Sequence, residues 1–321
     1  MTKLHSITLV VKPEQKLNIK WPRQHIRQVI TLLTSFYLVC SSVSISAQHA
    51  SLIFEAELAH ELQECSGLIA LENGKYFLAH NDSGCEPILY LISQDAKIIH
   101  QIRVEGSSHV DWEDMSFDGM KHLYIADCGN NDQSRRGGVI NRIDISKGFF
   151  VDTVFAEQIK FQFGDYPTTK MKRNKKHFDI EAICTSGDSI LMFTKNRDRW
   201  FCNKTFLYLL IPNTKQQKLL PIQSLHYGNA FLYENQISGA WCGNSTDQVY
   251  LTSASQLILL QNQRTGSDTL SYKLNRKYTY TDLSQKEAVC IMEENKVAVC
   301  QESNAILKSA AMLRIYKLSE K

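Results

Sequence analysis

The sequence has no CxxC pair, no GxSxG turn and, beyond residue 47, no stretch with a helical apolar period. Each absence removes a class of protein. Without CxxC, a structural zinc cluster lacks its usual ligand spacing. Without GxSxG, the exposed nucleophile of an ordinary serine esterase is missing. Without a 3.6-residue period, strands are the regular element that remains. Linkers and low-complexity tracts are also missing after residue 47, so residues 48–321 read as a single domain. Its composition, 43% apolar and 21% charged over 321 residues, is globular, with ample length for a core.

A strong excess of one charge is missing too, once the start of the chain is set aside. Residues 1–28 hold six basic side chains (Lys3, Lys12, Lys16, Lys20, Arg23, Arg27) against one acid, Glu14. Residues 29–47, VITLLTSFYLVCSSVSISA, carry no charge and end in the small residues Ser44, Ser46 and Ala47. This is the pattern of a secretory signal peptide with a long basic lead, and it implies export to the periplasm, the medium or the cell surface. The alternative is an uncleaved anchor, in which residues 29–47 span the bilayer and give the protein its one membrane contact. Without residues 1–47 the formal charge of +3 becomes −2. The folded part therefore has no electrostatic footprint for nucleic acid. Eight of the nine cysteines remain, an even number that permits disulfides in an exported chain. Cys184 and Cys290 lie inside apolar phrases and read as buried free thiols.

What is present is a repeat. A Ser or Glu, then a small residue or Asp, then an apolar run occurs five times: SGLI at 66, EDMS at 113, EAIC at 181, SGAW at 238 and EAVC at 287. Each is followed by a second strand phrase (KYFLAHND, HLYIADCGN, SILMFTKN, QVYLTSAS, KVAVCQES) and then by a third. A fourth, more polar phrase appears in four units, the weakest lying within QKLLPIQSLHY. The fifth unit ends at its third strand, while an extra strand, ASLIFEAEL, precedes the first unit. An N-terminal strand that completes the last sheet closes a ring and removes its open edge. The expected fold is therefore all-β: a five-bladed β-propeller of four-stranded antiparallel blades. Six blades are the alternative, should the long gap between units two and three hold a degenerate one.

In such a ring the first strand of each blade lines the central channel. The repeat then brings Ser66, Glu113, Glu181, Ser238 and Glu287 to one mouth, one residue per blade. Converging carboxylates must take up protons or hold a cation. An all-oxygen set without His or Cys selects a hard cation, and a ring of this size suits calcium over magnesium.

The Ser, Glu, Glu, Ser, Glu order, with phrases such as EDMSFDGMKHLYIADCGNN and EAICTSGDSILMFTKN, resembles the calcium-activated nucleotidases, or soluble apyrases. The resemblance spans about residues 50–318. It implies a five-bladed propeller with calcium in the channel, held by these five residues. NDSG, DWEDM and FDIEA are also similar to a group of secreted bacterial propellers. One departure stands out. Where the nucleotidases carry an Asp-Arg-Thr-Gly type of turn, this chain has Asn81-Asp82-Ser83-Gly84, without the Arg.

Loops at the same mouth carry Asp82, Arg135, Lys195, Arg197 and Trp200 as candidate substrate contacts, the cations for a phosphate or another anion and Trp200 for a ring. Asp114 and Asp127 are the candidate bases that would activate water. Two functions follow from different classes. One is a calcium-dependent hydrolase of nucleotides or phosphate esters. The other is a non-enzymatic propeller with a structural calcium that binds a small anion or a protein ligand. A monomer is expected in either case.

Overall fold

The computed structural model describes residues 5–12 and 15–21 as backbone, and residues 48–107, 109–167, 177–195, 204–214, 216–227, 236–243, 247–263, 270–282, 284–293, 295–304 and 308–319. The chain divides into two compact units at residues 47 and 48. In the first, β1 (His5–Lys12) and β2 (Gln15–Trp21) form an antiparallel pair. The uncharged stretch 29–47 lies outside the described residues. Among those described, no helix is long and apolar enough to cross a membrane.

The second unit is a β-propeller. It opens with β3 (Gln48–Glu57). Blade one is β4 (Cys65–Leu71), β5 (Tyr76–Asn81), β6 (Ile88–Ser93) and β7 (Ile98–Glu105). Blade two is β8 (Trp112–Phe117), β9 (His122–Asp127), β10 (Gly137–Asp144) and β11 (Thr153–Phe163). In blade three, β12 (Ile180–Ser186), β13 (Ser189–Thr194) and β14 (Lys204–Leu210) are followed by two short strands, β15 (Gln216–Leu219) and β16 (Gln223–His226). Blade four is β17 (Gly239–Cys242), β18 (Gln248–Thr252), β19 (Gln256–Asn262) and β20 (Tyr272–Tyr280). Blade five is β21 (Ala288–Glu293), β22 (Lys296–Gln301) and β23 (Met312–Leu318), completed by β3, which pairs antiparallel with β23.

The inner strands are neighbours in the order β4, β8, β12, β17, β21 and back to β4. Packing follows the same ring. Five buried apolar clusters each join two adjacent blades; Phe77 and Ile92 of blade one, for example, pack with Ala298 and Leu313 of blade five. Because a blade is covered on both faces, its second strand is buried almost throughout, as in β5, β9 and β22. Outer strands such as β3 and β7 have one wet face and alternate instead. The inner strands approach one another closely at the axis. A Cβ on Gly239 would lie 2.8 Å from Ala288 Cα and 2.9 Å from the Glu287 carbonyl oxygen, so only glycine fits there.

Two details differ from the expectation. The weak fourth strand of blade three is split near Pro221, which has no N–H to give to a ladder. β16 pairs with β14, but β15 crosses to blade two and pairs parallel with β11. Cys184 is not a free thiol: it is bonded to Cys242 and joins the inner strands β12 and β17. Cys290 is buried and free, as its apolar surroundings imply.

Candidate metal centre

The ring residues owe their aim to irregular starts of the inner strands. Pairing slips between Cys65 and Gly67, between Trp112 and Met115, and between Ile180 and Ala182. Ser66, Glu113 and Glu181 sit in these slips, where an unpaired residue turns out of the ladder. In the other two blades, Ser238 and Glu287 immediately precede β17 and β21, tied by amide bonds to the carbonyls of Thr252 and Cys300. All five are buried and line one cavity of about 520 Å³.

The acids in and beside that cavity are unevenly spread. Glu113, Asp179 and Glu181 each present an oxygen within 4.8 Å of the others, and so do Asp82, Asp111 and Glu113. Glu287 belongs to neither group. Gln285 Nε2 donates to Glu287 Oε1 at 2.5 Å and to Glu302 Oε1 at 3.0 Å. The two serines stitch blades together: Ser66 Oγ donates to the Glu113 carbonyl, and Ser238 Oγ to the Lys286 carbonyl at 2.5 Å. A hydroxyl that donates can also accept, so both serines keep acceptor capacity.

The carboxyls around the cavity hold protons above their usual range. Burial, then Glu181, Asp82 and Asp179, pushes the Glu113 carboxyl well above its usual range, with Lys195 opposing. Burial pushes Asp82 up to about 7, reinforced by Asp111, Glu181 and Glu287. It pushes Glu302 up to about 8, reinforced by Glu287, Glu64 and Asp82. Asp111 is raised by burial as well, with Arg135 pulling the other way. Protons, or a cation in their place, relieve this crowding. Oxygens on several carboxylates at this spacing, without His or Cys, are a donor set for a hard metal ion.

The candidate substrate and catalytic residues fare differently. Asp82 and Lys195 line the cavity, and Lys195 Nζ bonds Glu181 Oε2 at 2.7 Å. Arg135 instead staples its own loop, donating to the Gly129 and Asp127 carbonyls and to Asp127 Oδ1. Asp127 also accepts from the amides of Val110 and Asp111. Asp114 does not line the cavity. Its Oδ2 accepts from the Ile183 and Ala240 amides at 2.9 and 3.0 Å, and its Oδ1 from Met115 at 2.8 Å. Neither Asp114 nor Asp127 is presented to a water in the cavity; both hold backbone. Arg197 and Trp200 lie outside the described residues.

Asp179, which stands within 4.8 Å of Glu113 and Glu181 while its Oδ1 accepts from the Asn130 amide at 2.6 Å, and the cavity residues Gln285 and Glu302 are not singled out by the repeat alone. A signal for the first two is present. Two positions before the ring residues stand Glu64, Asp111, Asp179, Gln236 and Gln285, each with a side-chain carbonyl or carboxylate oxygen. The shared spacing puts each of these residues just ahead of its inner strand.

No protein-family model matches the chain, and no curated protein does. Among solved structures it is similar to the WD40 repeats of RRP9, at 10% identity over 85% of this chain and 100% of that one, with a TM-score of 0.44. It is similar to the PQQ-bound aldose sugar dehydrogenase of Streptomyces coelicolor, at 10% identity over 85% and 98%, TM-score 0.47. It is similar also to a glucose dehydrogenase, at 9% identity over 84% and 100%, TM-score 0.44. Likeness at this level carries no argument about this chain.

Proposed function

We propose that the protein is an exported calcium-binding propeller that acts on nucleotides or phosphate esters at the mouth of its channel. The observation that carries the reading is the compact, buried group of Glu113, Asp179 and Glu181. Bound calcium would supply positive charge for an anionic oxygen in a cavity that is otherwise acidic. The chain's own groups would do the rest. Lys195 stands beside Glu181 with an ammonium for the same anion, and the Glu302 carboxyl, held near neutral titration by burial, can exchange a proton at the cavity wall. Asp114 and Asp127, bonded to amides, serve as struts.

A second reading is a ligand-binding propeller without catalysis. It is favoured by Arg135, whose guanidinium holds a loop where a nucleotidase would want it on phosphate. One experiment separates the two. The full chain is assayed for phosphate release from nucleoside di- and triphosphates and simple phosphate esters, in calcium and in excess chelator. Calcium-dependent release that disappears in Glu181→Gln supports the hydrolase. Calcium binding without release leaves the ligand-binding propeller, and no calcium binding overturns both.

A further inference from the structure

The carboxylates at the channel mouth form two compact groups that share Glu113. We propose that the mouth is a two-cation centre bridged by Glu113, with one divalent cation among Glu113, Asp179 and Glu181 and a second among Glu113, Asp82 and Asp111. This rests on the cation-binding reading above and extends it.

The two groups of oxygens meet the same test. Each lies within 4.8 Å, and Glu113 belongs to both. Ligands about 2.3–2.6 Å from one calcium are at most about 5 Å apart, so each group can close on its own ion. Glu113 itself points to a ligand. It is 5% exposed, and its carboxylate accepts no hydrogen bond from a described residue. A buried carboxylate without a donor is costly unless it takes up a proton or a cation meets it. Asp111 shares its surroundings: a Cβ on Gly129 would lie 2.0 Å from Glu113 Oε1 and 2.3 Å from Asp111 Oδ2. The chain has kept this position bare, and two acids occupy the space.

The groups also draw on three blades: Asp82 follows β5 of blade one, Asp111 and Glu113 belong to blade two, and Asp179 and Glu181 to blade three. The sequence repeats the device: Asp111-Trp112-Glu113 and Asp179-Ile180-Glu181 supply the same Asp-x-Glu pair from neighbouring blades. Two cations about 3.5–4 Å apart are a common arrangement for phosphate ester chemistry, because they clamp both the attacking and the leaving oxygen.

The test is a calorimetric titration of the metal-stripped full chain with calcium, and separately with manganese. Wild type is expected to take two cations per chain. Asp111→Asn and Asp179→Asn are each expected to take one, with melting curves confirming that both fold. One cation in wild type, unaffected by Asp111→Asn, overturns the second site and leaves the first reading standing. No cation in wild type overturns that reading itself. Two cations retained in Asp111→Asn overturns the placement. Should a variant fail to fold, manganese paramagnetic resonance of wild type decides. An exchange-coupled pair supports the bridge, and the spectrum of isolated ions at saturation overturns it.

Discussion

Glu113 and Asp114 are adjacent acids on β8, both buried, and they do opposite work. Glu113 turns into the cavity. Asp114 reaches beneath it to strands β12 and β17, where the Ile183 and Ala240 amides fasten its Oδ2. One carboxylate thus ties three blades. Removing it leaves buried amides without an acceptor, which costs about 1–3 kcal/mol for each group. Asp114→Ala is expected to lose about 3 kcal/mol of stability in urea unfolding, while the fraction that stays folded binds calcium as wild type does. Unchanged stability with lost activity would restore Asp114 as a catalytic base. Gly129→Ala tests the neighbouring contact. Its Cβ collides with Glu113 Oε1 and Asp111 Oδ2, so calcium affinity is expected to fall about tenfold or more, equivalent to about 1.4 kcal/mol. Calorimetry reads it directly. Glu113 is legible in the sequence because five copies of one phrase mark it. Asp179 is legible through its i+2 relation to Glu181. The role of Asp114 is not, because its partners lie 69 and 126 residues away.

At the scale of elements, apolar runs foretell the second and third strands well, because inner parts of a blade are covered on both faces. The fourth strand of blade three is read as one element and folds as two. Its phrase is short and polar, and the neighbouring edge of β11 decides where β15 pairs. The Cys184–Cys242 bond was equally out of reach. Apolar phrases say that both thiols lie inside, but only the approach of β12 to β17 brings their Cα atoms to 5.4 Å. The bond closes a separation of 58 residues, worth about 4 kcal/mol in chain-entropy terms and typically 2–4 in practice. Changing both cysteines to alanine is therefore expected to lower stability by about 2–4 kcal/mol without altering cation stoichiometry. A denaturant midpoint equal to that of wild type would show that the bond contributes nothing.

For the whole molecule, closure and cation binding set stability together. The ring is closed by β3, whose pairing with β23 covers the last edge, and the ring in turn gathers acids that repel. Cation binding to the folded state alone stabilises it by about 2.7 kcal/mol per site at a hundredfold excess over Kd, so excess chelator is expected to lower the melting temperature. The dependence on pH has a definite sign. Asp82 and Glu302, pushed up to about 7 and about 8 by burial, hold protons more tightly folded than unfolded, where carboxyls titrate near about 4. Their contribution to the cation-free protein is complete below about pH 4 and is lost as pH rises through about 7 and 8. Melts in chelator are expected to fall from about pH 5 to about pH 8.5. Stabilisation by calcium is expected to grow over the same interval, because protons no longer compete. A chelated protein that melts no lower at the higher pH would contradict the half-buried placement of these acids.

By itself the sequence determined the strands, their grouping by repeat, the closing N-terminal strand and the residues that ring the channel. Local apolar pattern and turn chemistry repeat from blade to blade, and both are written in neighbouring residues. Tertiary structure alone decided what those acids are to one another. Carboxylates from different blades become a group only when adjacent blades bring residues 82, 111 and 113, and residues 113, 179 and 181, within reach of one another. The same closure turns Asp114 and Asp127 from candidate bases into struts, since the amides that claim them arrive from elsewhere in the fold.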